Sequence, residues 1–99
     1  MTYVIFEVKQ EKSGMINKLI KDDLVSRQSI LTRDAKALDV KGEVTYVKVE
    51  GSKGGLKRAE ELAKELGFKK LSKKDAEKVN EKIEEQEESA ASGIGMIFD

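Results

Sequence analysis

Neither histidine nor cysteine occurs among the 99 residues of this chain, which narrows the chemistry it could do. Without imidazole the usual proton shuttle and the commonest transition-metal ligand are missing. Without a thiol there is neither a thiolate nucleophile nor a disulfide framework. Acids are plentiful, but two carboxylates work as a catalytic pair only where a pocket pushes their pKa values apart. Asp22-Asp23 and Glu60-Glu61 carry no sign of such a pocket and read as helix surface. A calcium loop would need alternating Asp or Asn with a central glycine and a distal glutamate, and no segment has that spacing. The expectation is a non-enzymatic protein with no catalytic residues, no metal site and no cofactor.

Two groups of residues have the make-up of binding surfaces. In Gly51-Ser52-Lys53-Gly54-Gly55 a strand enters a helix, so the backbone N–H groups of Ser52, Lys53, Gly54 and Gly55, with the helix dipole, offer a place for a phosphate or carboxylate. The segment lacks the spacing of a Walker loop, and the alternative is a capped, glycine-eased turn. A true site here would make the chain a small regulatory or sensor domain for an anionic metabolite. The second group is a strand face. If Val4, Phe6 and Val8 point to the helices, then Tyr3 and Ile5 lie on the open side, joined by Val44, Tyr46 and Lys48. Tyrosines with Lys9 and Lys48 on a sheet are similar to the way RNA-recognition sheets stack bases, although the aromatic-rich strand motifs are absent. The clusters Lys53-Lys57-Arg58 and Lys69-Lys70-Lys73-Lys74 add the charge that phosphate contact with ribosomal RNA requires. The alternative is a face covered by the last helix or by a second subunit.

The C-terminal segment is the most distinctive. An acidic run, Glu84-Glu85-Gln86-Glu87-Glu88, gives way to small residues and then to Gly93-Ile94-Gly95-Met96-Ile97-Phe98-Asp99. Residues 81 to 99 hold six acids and one lysine, net −5, which leaves eighteen bases and thirteen acids, net +5, in residues 1 to 80. This tail resembles those of the acidic ribosomal stalk proteins of archaea and eukaryotes, which end in acids, small residues and a Gly-apolar-Gly-x-apolar-Phe tip. The resemblance covers residues 84 to 99 and does not extend to the body. In that family the tail captures translational GTPases and related factors by laying apolar side chains into a groove. The resemblance implies aliphatic anchors at Ile94 and Ile97, an aromatic anchor at Phe98 and the paired glycines at Gly93 and Gly95. The partner it implies is a translational GTPase or another ribosome-associated factor. The alternative for Gly95 to Phe98 is a last strand packed on the chain's own sheet.

The elements that must position these groups follow from period and punctuation. Thr2 to Gln10 alternates as a half-buried strand. Ser13 stands as a cap before a helical stripe at Met15, Ile16, Leu19, Ile20 and Leu24. Gln28 to Leu38 reads as a second strand, although Lys36-Ala37-Leu38 also suits a helical turn. Glu43 to Glu50 is a β-branched third strand. Leu56, Ala59, Leu62, Ala63 and Leu66 form one face of a helix closed by Gly67. Phe68 to Leu71 is a short edge strand, and Ser72 with Asp75 resembles a capping box for a last helix with Ala76, Val79 and Ile83 on its stripe.

That order predicts an α+β fold, a ferredoxin-like βαββαβ sandwich over residues 1–71, an appended helix and acidic segment over 72–92, and an apolar tip over 93–99. The length allows one domain with a modest core. No apolar run nears the roughly 20 residues that span a bilayer, so the expectation is a cytoplasmic protein with no membrane partner. With 38% charged residues and only five Asn and Gln, the composition is that of proteins working at high temperature. A structural subunit of a larger complex is a further reading of the same features.

Overall fold

The computed structural model describes the backbone of residues 2–98 and the side chains of residues 2–87. Strand β1 (Thr2–Lys9) alternates as its sequence dictates, and its two sets of side chains build two cores. It lies inside a four-stranded antiparallel sheet of order β2-β3-β1-β4, with β2 at Ser29–Asp34, β3 at Val44–Gly51 and β4 at Lys69–Lys70. β1 pairs with β3 along its whole length, from Thr2 opposite Gly51 to Lys9 opposite Val44, and β2 flanks β3 from Ser29 opposite Glu50 to Asp34 opposite Thr45. β4 touches β1 only at Phe6 and Glu7.

On one face Val4, Phe6 and Val8 join Val47 and Val49 beneath helices α1 (Ile16–Ile20) and α2 (Lys53–Leu66), which contribute Leu19, Leu56, Ala59 and Ala63. On the other, Ile5 and Tyr46 pack with Leu71 against helix α3 (Lys73–Phe98), which supplies Ala76, Val79 and Ile83. Phe6 and Ile5, neighbours in sequence, are both fully buried on opposite faces. Each such side chain stabilises the fold by about 1.5–3 kcal/mol relative to exposure.

The helix expected from Ser13 to Leu24 is broken into three pieces. A 3-10 turn at Gln10–Met15 leads into the short α1, and a second 3-10 turn follows at Val25–Arg27. Ser13 sits inside the first turn and caps nothing, and Lys9 precedes that turn without a side-chain cap. The break comes at Asp22, whose Oδ2 accepts the N–H groups of Leu24 (3.1 Å) and Val25 (3.2 Å). A short acidic side chain that bonds its own backbone two and three residues on competes with helix continuation. Val25 rather than Leu24 then enters the core, and Leu24 is left 40% exposed.

The second strand is likewise shorter than expected. It stops at Asp34, where Thr45 Oγ donates to the carboxylate (2.9 Å), and Ala35–Leu38 forms the helical turn that was the alternative reading. Asp39 then reverses the chain in the left-handed region (φ 57°), and Val40 N–H returns to the Ala35 carbonyl (2.9 Å). α2 ends as read: Gly67 adopts φ 79°, and Phe68 N–H reaches back to the Ala63 carbonyl (2.8 Å). The short edge strand shrinks to two residues, and Phe68 and Leu71 on either side of it enter opposite cores, as the alternation of a strand requires. Ser72 accepts the Asp75 N–H (3.2 Å) and starts α3.

Candidate functional site

The sheet face expected to be open is covered. α3 lies across it, and Tyr46 is only 5% exposed, so its ring offers no platform for a base. Its hydroxyl is held above the usual tyrosine range, first by burial and then by the Glu7 and Asp75 carboxylates. Glu7 is the residue directly opposite it on β1. Val44 packs against the same core, and Ile5 is fully buried there. Tyr3 is half-buried at the margin, with Lys48 Nζ 5.0 Å above its ring, so these two predicted contacts engage each other. Burial, followed by Glu77 and further carboxylates, raises the Tyr3 hydroxyl as well. Lys9 stands exposed at the far end of β1, remote in register from Tyr3.

The glycine-eased turn before α2 is capped and filled. Ser52 Oγ accepts the Gly55 N–H (3.1 Å), while the Ser52 N–H is taken by Gln28 Oε1 (3.0 Å). Gln28 is fixed by its own Nε2, which donates to the Leu24 carbonyl (3.0 Å). A Cβ at either Gly51 or Gly55 would run into the Gln28 carboxamide. The glycines therefore admit a side chain of this protein into the hollow that a phosphate would need. Lys53 and Gly54 remain exposed on the first turn of α2.

The lysine clusters are redistributed. Arg58 turns away to Asp22, with its Nη2 and Nε at 3.1 and 3.2 Å from one carboxylate oxygen. That guanidinium, chiefly through its hydrogen bond, holds the Asp22 carboxyl below the ordinary carboxylate range. Lys69 and Lys74 point to open surface. Lys53 and Lys57 of the first cluster, however, converge with Lys70 and Lys73 of the second on one groove of about 800 Å³. Lys70 is ion-paired there to Glu60. Its floor is apolar, made by Leu56, Leu71 and Ala76, while Thr2 to Ile5 line one side and Glu77 adds an acid from α3.

The sequence pattern points these lysines to RNA and does not join them across the chain. A local signal existed: Lys53, Lys57 and Glu60 are spaced as one helical stripe beside Leu56, next to the strand that carries Tyr3. What it lacked was the length of β4, which alone decides whether that side of β1 is covered. Among the described residues no group of three or more acids is arranged to hold a metal ion, and no helix is long and apolar enough to cross a membrane. Ile94, Ile97 and Phe98, with Gly93 and Gly95, have side chains outside the described residues. No protein-family model, curated protein or solved structure matches this chain.

Proposed function

We propose that this chain is a non-enzymatic accessory protein of translation that docks a translational GTPase or related ribosome-associated factor through Ile94, Ile97 and Phe98. The βαββαβ order, with β1 and β3 central and β4 and β2 at the edges, supports a ferredoxin-like scaffold carrying this tail. The feature that supports the proposal is that side chains between Val4 and Ile83 already cover both faces of the sheet. The buried apolar residues of the described chain run from Val4 to Ile83. One turn later Gln86 is bonded on both sides, accepting from Arg33 Nε (3.0 Å) and donating to the Ala37 carbonyl (2.7 Å). Both cores are thus supplied with side chains before the acidic run gives way to the apolar tip. The positive body, net +5 over residues 1–80, suits a ribosomal surface, and the negative segment suits a basic groove on a factor.

Burying two isoleucines and a phenylalanine contributes about 1.5–3 kcal/mol each, and association takes back at least roughly 4 kcal/mol in lost translational and rotational freedom. Capture is therefore weak and rapidly exchanging. The test is deletion of residues 93–99, read by thermal midpoint and by titration with an elongation GTPase. Loss of GTPase binding with an unchanged midpoint is expected. A midpoint lowered by many degrees would instead make the tip part of the fold and remove the proposal.

A further inference from the structure

β1 is a central strand for half its length and an edge strand for the rest. Two hydrogen bonds fix which way its backbone faces. Just beyond β1, Gln10 N–H reaches the Glu43 carbonyl on the β3 side (3.2 Å), while Ile5 C=O accepts the Leu71 N–H on the β4 side (3.0 Å). Even-numbered residues therefore address β3 and odd-numbered residues the other side. Tyr3 consequently turns its N–H and C=O toward the groove, where β4 does not reach and where no strand of the described residues pairs with it. An uncovered sheet edge is a template for one more strand.

The walls of the groove differ. On the α2 side stand Lys53 and Lys57, with Glu60 neutralised by Lys70. On the α3 side Leu71 and Ala76 lie beside one base, Lys73, and one acid, Glu77. A strand laid beside Tyr3 sends alternate side chains to the two walls. Acids at every second position meet the lysines, and small apolar residues between them meet the α3 side. We infer that the groove beside Thr2 to Ile5 binds an extended acidic peptide of a partner, with alternating acidic and small apolar residues, as an added strand on β1. Nucleic acid fits less well, since phosphates have no use for the apolar floor or for the edge carbonyl of Tyr3. This site is separate from the C-terminal tip, so either reading can fail without the other.

The experiment is an NMR titration of the full chain with a capped Glu-Val-Glu-Val-Glu peptide. Shifts at the Tyr3 and Ile5 amides, with slowed hydrogen exchange of the Tyr3 N–H, are expected. Methylating the peptide nitrogens that face β1 leaves the protein untouched and should weaken binding about tenfold per lost hydrogen bond. Replacing both exposed lysines, Lys53→Glu with Lys57→Glu, should weaken it by about tenfold or more. Equal binding of a Lys-Val-Lys-Val-Lys peptide, or of the methylated peptide, would overturn the inference. So would an oligouridylate or the chain's own 84–99 peptide occupying the groove while the capped peptide leaves Tyr3 unmoved.

Discussion

The two faces of the sheet are built from the same strands by alternate residues, yet they are closed in different ways. The α1/α2 face holds Phe6, four valines of the central strands, Leu19 and Phe68, under elements tied into the chain at both ends. The α3 face holds Ile5 and Tyr46 under the Ala35–Leu38 turn and one long helix whose buried stripe includes one alanine, one valine and one isoleucine. That helix is fastened at Ser72 by its cap and at Gln86 by two side-chain hydrogen bonds. The lesson is that a buried tyrosine and a polar latch make a closure that can open by itself. The expectation is that α3 leaves the sheet as a unit at a cost below that of global unfolding, whereas α2 does not leave without dismantling the larger core.

The strongest blow to the comparison would come from the larger face. Phe6→Ala should cost about 3–5 kcal/mol and lower the denaturation midpoint of every probe together. Next, Ile83→Ala should cost roughly 2–3 kcal/mol, with hydrogen exchange accelerating in α3 well before β1 and β3. If all amides in Ile83→Ala lost protection equally, the two faces would be one cooperative unit and the distinction would fall. A third, smaller effect is confined to alkaline pH. The folded state raises the Tyr46 pKa above its unfolded value, chiefly by burial. The stabilisation is therefore fully present below the unfolded value and is lost as pH rises through the folded one. Denaturation followed from pH 8 to 12 should show the decline, and Tyr46→Phe should flatten it.

Local signals were legible and non-local ones were not. β1, β3 and α2 followed from period, β-branched content and the left-handed glycine at Gly67, all of which act within one element. The first helix failed because Asp22 found its own backbone, a choice that competes with the helix inside the same few residues. The open face failed because Ala76, Val79 and Ile83 of α3, together with Ala35, Leu38 and Leu71 from distant segments, cover Ile5 and Tyr46. At the turn before α2, the glycines were recognised as conspicuous, but their neighbour Gln28 lies more than twenty residues upstream, beyond any local pattern. The groove was the least visible, since it requires lysines from two segments and the early end of β4.

The placement of β1 also has a consequence in time. Of the four strands it leaves the ribosome first, yet its partner residues lie 35 to 49 positions later, from Val44 opposite Lys9 to Gly51 opposite Thr2. Long-range strand pairing of this kind is slow compared with forming α2, which needs only its own residues. During synthesis Ile5, Phe6 and Val8 must wait, unpaired and apolar, until β3 has emerged. The interval in which this protein is most prone to aggregate is therefore set by the rate of translation across the stretch from β1 to β3.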